Sequence, residues 1–195
     1  LGSGGRESAM AWRIATSPEV EQLYIAPGNG GSEIYGINVP ELSGKDFDAI
    51  ADFIASHGVN LLVSGPEEPL VQGIADYFAE RKEDFPHLMV VGPNAQGAQL
   101  EGSKDFSKAF MQRYGIPTAG YRTFGADEKS EAVAYLQTLH PPFVLKADGL
   151  AAGKGVLIVP TLEEAAKGFD DLAEGIWGSK GQKIVIEEFL QGIEC

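Results

Sequence analysis

The chain has 195 residues, 44% of them hydrophobic and 22% charged, with a formal net charge of -13. That length allows one or two domains with a sizeable core, while the acidic balance disfavours nonspecific binding to nucleic acid or an anionic membrane, which carry the same sign. No apolar run approaches the roughly 20 residues of a membrane-spanning helix, no signal-peptide pattern opens the chain, and one cysteine, Cys195, cannot close an internal disulfide, so the expected compartment is the cytoplasm.

The opening, L-G-S-G-G-R-E-S, is a glycine turn leading into a helix, which normally follows a strand; the reading is that a first strand lies upstream and that the chain is a fragment. Short apolar runs at 20 to 25, 59 to 64 and 88 to 92 then read as strands ending at Gly, Pro or Ser turn signals. Between them, 45 to 57 places Phe47, Ile50, Phe53 and Ile54 on one helical face, and 69 to 81 does the same with Leu70, Ile74, Tyr77 and Phe78. This alternation is the pattern of βαβ units and a parallel sheet. A further helix starts at Ser103, with Lys104 in its first turn and Phe106, Phe110 and Tyr114 stacked on one face. The segment from Gly115 to Gly125 reads as a linker. Beyond it come a helix near 128 to 139, strands at 143 to 147 and 155 to 159, a helix near 161 to 174 and a strand at 183 to 188, which together form a small α+β unit.

Three segments could carry chemistry. Residues 142 to 155, P-F-V-L-K-A-D-G-L-A-A-G-K-G, deliver Lys146 from an apolar strand into a loop with Gly149, Gly153, Gly155 and a second lysine, Lys154. Glycines let backbone N–H groups approach an anion closely, and ammonium groups neutralise it; read alone, the same segment also suits a glycine-rich hairpin with two solvated lysines. The spacing is not that of a Walker-type loop, because Gly155 stands where a Ser or Thr would follow the lysine. At the second segment Lys104 lies at a helix N-terminus, where a cation is mildly unfavourable unless an anion uses both. The third, V-I-E-E-F-L-Q-G-I-E, ends a strand with Glu187 and Glu194 seven apart, a separation at which one carboxylate accepts from an amino group and the other from a sugar diol, although an acidic strand end is also commonly just solvated. The three histidines, His57, His87 and His140, show no metal-ligand spacing.

Together these segments occur in the order of the nucleotide site of ATP-grasp enzymes. The strings G-S-G-G-R-E (2 to 7), A-P-G-N-G-G (26 to 31), G-P-E-E-P-L-V (65 to 71), Q-L-E-G-S-K (99 to 104), K-A-D-G-L-A-A-G-K-G-V (146 to 156) and I-E-E-F-L-x-G-x-E (186 to 194) resemble the phosphoribosylamine–glycine ligase (glycinamide ribonucleotide synthetase) family over essentially the whole chain. The resemblance implies an α/β fold: a Rossmann-like, parallel-sheet domain over 1–98, then the first part of an ATP-grasp domain over 99–195 with an α+β lid at about 120–190. It implies ATP-dependent joining of glycine to 5-phosphoribosylamine, through glycyl phosphate, in purine biosynthesis.

Carried over by position, the resemblance puts Lys104 and Lys146 on the ATP phosphates, with the Gly149–Gly155 loop and Lys154 closing over them; Lys146 and Lys154 are the catalytic candidates. Glu187 is expected at the adenine amino group, with Glu188 beside it, the backbone of Phe189 and Leu190 at the ring edge, and Glu194 at the ribose. Three turns form the expected phosphoribosylamine side: Gly4, Gly5 and Arg6; Gly28, Asn29 and Gly30; Gly65, Pro66 and Glu67. Ser8 stands where the family usually has His. The family's magnesium ligands lie downstream of Cys195, so magnesium is expected with ATP but no metal ligand is assigned in this chain, which alone is expected not to turn over. A monomer or weak dimer is expected. The alternatives are another purine-pathway ATP-grasp ligase, a noncatalytic nucleotide-binding fragment, or, from the G-S-G-G-R-E turn alone, a dinucleotide-binding oxidoreductase domain.

Overall fold

The computed structural model describes residues 1–151, 154–178 and 180–193. Gly153 and Glu194, both expected nucleotide contacts, lie outside the described residues. Two compact units divide the chain, Leu1–Ala98 and Gln99–Cys195. No helix among the described residues is long and apolar enough to cross a membrane.

The first unit runs α1 (Gly5–Ala15), β1 (Tyr24–Ile25), β2 (Ile37–Asn38), α2 (Phe47–His57), β3 (Leu61–Val63), α3 (Glu68–Val71), α4 (Ile74–Glu80) and β4 (Met89–Val91), and α5 (Ala95–Gly102) carries the chain onward. Strand β1 pairs with β2 and β3 with β4, both in parallel. Residues 1 and 2 stitch these pairs together: Gly2 N donates to Ala26 O at 2.7 Å, Gly28 N to Gly2 O at 3.1 Å, and Gly65 N to Leu1 O at 3.0 Å. The result is an α/β arrangement in which the turns after Gly2, Ile25 and Val63 share one end of the strands.

Helix α2 shows why the apolar spacing holds. The Asp46 side chain caps it by accepting from Ala49 N at 3.0 Å, Gly58 ends it at φ 64°, and Ile50 and Ile54 are almost fully buried. The helix expected over 69 to 81 is instead two helices. Gly73, at φ +93°, adopts a left-handed conformation that an L-residue rarely takes, and it separates α3 from α4.

The second unit contains α6 (Lys104–Arg113), β5 (Tyr121–Phe124), α7 (Lys129–Leu136), β6 (Phe143–Ala147), β7 (Val156–Val159), α8 (Leu162–Ala173) and β8 (Ile184–Glu187). Its four-stranded sheet is antiparallel, in the order β5-β8-β6-β7. The segment expected to be a linker therefore holds a strand, β5, which borders β8. Leu136, Leu145, Phe169, Leu172, Ile184 and Ile186 form a core under α7 and α8. Each large apolar side chain so buried contributes about 1.5–3 kcal/mol.

Side chains alternate across a strand. Leu145 and Ala147 of β6, and Ile184 and Ile186 of β8, enter that core, so Lys146 and Glu187 must project from the opposite sheet face. The register pairs Lys146 with Val185 and Val144 with Glu187. Lys146 and Glu187 are thus diagonal neighbours on one face, a separation that a long side chain spans.

Candidate functional site

In the second unit the lysine of β6 meets the strand-end carboxylate. Lys146 Nζ donates to Glu187 Oε2 at 2.9 Å. The other oxygen of Glu187 lies 3.4 Å from the ammonium of Lys108, and both of those side chains are buried, at 7% and 8% exposure. Lys108 was not singled out in the sequence. It sits one turn beyond Lys104 on α6, and the expected aromatic stripe of that helix is the outward one: Phe106 and Tyr114 are exposed, with Tyr114 tilted against Phe110 at 4.7 Å.

Lys104 joins the same neighbourhood from the start of α6. Its Nζ donates to Gly149 O at 2.9 Å. Burial lowers its pKa from the ordinary lysine value, and the Lys146 charge lowers it further against the opposing pull of Asp148. Two ammonium groups within each other's field are unfavourable by themselves; an anion between them turns the repulsion into attraction.

Asp148, which sequence reasoning also missed, locks the helix start to the loop. Its carboxylate accepts from Ser103 Oγ at 3.1 Å and from Asp105 N at 3.2 Å, while Asp148 N donates to Lys183 O at 2.9 Å. Lys183 in turn pairs with Asp105. A carboxylate on the free N–H groups of a helix start is favourable both as a cap and against the dipole. The next residue, Gly149, sits at φ +88°, and Gly155 could not carry a Cβ without approaching Ala151 Cβ to 2.8 Å. The loop is narrow where it closes on the sheet, with Ala147 N donating to Gly155 O at 2.8 Å.

The other expected nucleotide contacts are distributed as follows. Lys154 is exposed, and among the described residues no contact ties it to Lys104 or Lys146. Glu188 folds back on the segment before β5: its Oε1 accepts from Gly120 N at 2.8 Å and its own N donates to Gly120 O at 2.9 Å. Phe189 and Leu190 are exposed immediately after β8. Among the described residues no group of three or more His, Cys, Asp or Glu gathers to hold a metal ion.

In the first unit the first and third of the expected turns meet at Glu7, a residue the sequence did not single out. Glu7 is 9% exposed, and its Oε2 accepts from Gly4 N at 2.7 Å. Arg6 Nε donates to Glu7 Oε1 at 3.0 Å, and Arg6 also reaches Glu67 at 3.4 Å. A Cβ on Gly65 would lie 2.4 Å from Glu7 Cγ, and one on Gly2 2.3 Å from it and 2.9 Å from Pro66 Cδ. The glycines are therefore the space into which Glu7 packs. Asn29 ties the second turn to the first by donating to Ser3 O at 2.8 Å and accepting from Gly31 N at 2.7 Å. Gly28, at φ +77°, lies against Asn38, while a side chain on Gly30 or Gly5 would meet nothing within 4 Å. The Ser8 hydroxyl lies 2.9 Å from Asn29 Nδ2.

Burial pushes the Glu7 carboxyl up, but the hydrogen bonds from Arg6 and Gly4 outweigh it and hold its pKa below the ordinary glutamate value. A depressed folded-state pKa contributes stability above the unfolded value, and that contribution disappears as pH falls through the folded one. Glu7→Gln is therefore expected to flatten the acid limb of the stability profile. Acid titration followed by circular dichroism checks this, and parallel curves for the two proteins would contradict it.

An antiparallel sheet that delivers a strand lysine and a helix lysine to one glycine loop, following a parallel-stranded unit, defines an ATP-grasp protein. The match to known families agrees: the model described as "Phosphoribosylglycinamide synthetase, N domain" covers residues 1–101, and that of the same synthetase's "ATP-grasp (A) domain" covers 102–195. The chain belongs to the phosphoribosylglycinamide synthetase family. It is 50% identical over 198 residues to the phosphoribosylamine–glycine ligase of Ralstonia nicotianae, an alignment that spans 100% of this chain and 44% of that protein. Among solved structures, phosphoribosylamine–glycine ligase from Thermotoga maritima superposes with a TM-score of 0.73 at 36% identity, over 99% of this chain and 44% of the other. Carboxyaminoimidazole ribonucleotide synthase of Aspergillus clavatus, solved with ATP, shares the fold with a TM-score of 0.65 at 18% identity over 97% of this chain and 46% of the other. The chain thus spans less than half the length of each of these three relatives.

Proposed function

We propose that these residues belong to an enzyme that joins glycine to 5-phosphoribosylamine at the expense of ATP, and that Lys104 and Lys146 hold the ATP phosphates. The observation that carries the nucleotide reading is the pairing of those two lysines on one glycine loop, with Lys104 half-buried and hydrogen-bonded to a carbonyl rather than a carboxylate. Asp148, Glu101 and Glu187 act on this cation only through their fields, and none of them takes its hydrogen bond, so it suits an anionic ligand. Bound ATP, with magnesium, supplies the phosphoryl group that activates the glycine carboxylate as glycyl phosphate, from which the amine of 5-phosphoribosylamine displaces phosphate to form the amide.

The chain's own part is position and charge. Lys146 is held in direction by Glu187, and Lys104 by Gly149 O; both keep N–H donors to spare, because an ammonium has three. Preorganised cations of this kind stabilise charge on a transferring phosphoryl group without reorganising during the reaction. Lys154 and the glycines at 149, 153 and 155 are assigned to the phosphate cover, Glu187, Glu188, Phe189 and Leu190 to the base, and Glu194 to the ribose. The end of the first unit formed by Gly4–Arg6, Gly28–Gly30 and Gly65–Glu67 is assigned to phosphoribosylamine.

The test is glycine-dependent release of phosphate from ATP, measured on the whole protein. Release that requires both glycine and phosphoribosylamine supports the assignment. Release driven instead by bicarbonate and a ribonucleotide would support the other purine-pathway reading.

Lys104 also predicts a pH dependence. Its folded pKa lies below the unfolded value, so between the two values the unfolded chain binds more protons and stability rises with pH. Anion binding runs the other way, since it needs the charged form. ATP affinity is therefore expected to fall on the alkaline side at a lower pH than an ordinary lysine would dictate, and Lys104→Gln to flatten that fall. Calorimetric titration with ATP across the alkaline range reads both.

A further inference from the structure

Lys108 is a buried ammonium, 6% exposed, on a helix whose aromatic stripe faces outward. Its three N–H donors have three acceptors in reach: Thr118 Oγ1 at 2.8 Å, Ala119 O at 3.2 Å and Glu187 Oε1 at 3.4 Å. Desolvating a lysine costs several kcal/mol before pairing, and an apolar side chain would fill the same position without that cost. What an apolar residue could not do is act on Glu187.

Glu187 is shared. One oxygen faces Lys108 and the other holds Lys146 at 2.9 Å. Between two lysines the carboxylate leaves one net positive charge; with Lys146 alone it would leave none. The charge that remains resides on the exposed member, since the Lys146 side chain is 27% exposed and that of Lys108 8%. We propose that Lys108 is a positioning residue that offsets Glu187, so that Glu187 can orient Lys146 without cancelling its charge toward an anion. This goes beyond the nucleotide assignment but rests on it, because the anion concerned is the phosphate chain held by Lys104 and Lys146.

The test is calorimetric titration of the whole protein with ATP and, separately, with inorganic tripolyphosphate, which has the charge but no base or sugar. Lys108→Met is expected to weaken tripolyphosphate binding about tenfold, the scale of one charge removed from a partly shielded site. Lys108→Arg, which keeps the charge, stays within about threefold of the parent. Adding Glu187→Gln to Lys108→Met restores most of the lost tripolyphosphate affinity while the unfolding midpoint stays low, because the Thr118 and Ala119 contacts remain broken. A purely structural lysine would behave otherwise, with the double variant binding no better than Lys108→Met; that result, or parent-like binding by Lys108→Met, overturns the proposal. If Lys108→Met alone does not fold, the double variant carries the test: near-parent tripolyphosphate binding supports the charge offset and tenfold loss overturns it. Parent protein that binds tripolyphosphate but not ATP overturns the nucleotide assignment and leaves Lys108 to be judged on tripolyphosphate. Parent protein that binds neither overturns both.

Discussion

Glu187→Ala is expected to destabilise the second unit by about 3–5 kcal/mol, the usual cost of removing one partner from a buried ion pair. The size follows from what remains. Lys108 would keep Thr118 Oγ1 and Ala119 O but lose the only carboxylate that pairs with it among the described residues, and its charge has almost no access to water. Lys146 would lose its orienting partner as well. Because Glu187 ends β8, the strand that lies between β5 and β6, the loss is placed at the centre of the sheet. Chemical denaturation of the parent and variant measures it. Glu187→Gln, which retains the shape and an acceptor for Lys108, is expected to lose distinctly less, and equal losses for the two variants would show that the negative charge, not the shape or an acceptor, is what Lys108 requires there.

Lys146→Met is expected to lower ATP affinity about 100-fold, with an additional loss in turnover by the whole protein. A hundredfold change is about 2.7 kcal/mol, within reach of one charge-assisted phosphate contact in a partly buried site. The substitution also leaves Glu187 facing Lys108 alone, which neutralises the carboxylate without offering charge outward. Methionine has a similar length and flexibility, so packing changes little. A loss confined to KM would mark Lys146 as binding ground state and transition state equally; an additional fall in kcat would mark charge stabilisation of the transferring phosphoryl group. Retained affinity within about threefold would remove Lys146 from the nucleotide site.

What the sequence discloses and what it hides divide by the range of the interactions. Lys146 is legible because a local pattern, an apolar strand running into a glycine turn, fixes its place, and the Ser103 cap marks the start of α6 directly. The α2 face is legible for the same reason, through the 3.6-residue period. Strand β5 is not: four residues between Gly120 and Gly125 look like a linker, and only pairing with residues 184 to 187, some 60 positions on, makes them a strand. The two-residue β2 depends likewise on β1. The break at Gly73 was hidden because the apolar spacing continues across it.

Lys108 and Glu7 were hidden for a deeper reason. Each is a charged residue in a place where the period suggests solvent, and each is buried by partners remote in the chain: Glu187 and Ala119 for Lys108, Gly65 and Gly2 for Glu7. A signal was present in both cases. Lys104 and Lys108 lie four apart on one helix face, and Glu7 follows a glycine turn at the third helical position, where a carboxylate reaches back to the cap N–H. The aromatic stripe of α6 carries exposed Phe106 and Tyr114 while Lys108 is buried, because apolar periodicity indicates burial only when no stronger tertiary demand reverses it.

The most direct measurement is a crystal structure of the whole protein with a nonhydrolysable ATP analogue and magnesium. The account predicts the triphosphate within hydrogen-bond distance of both Lys104 Nζ and Lys146 Nζ, with Lys108 still buried on Glu187. An analogue bound elsewhere, with Lys104 still on Gly149 O and Lys146 committed wholly to Glu187, would contradict it.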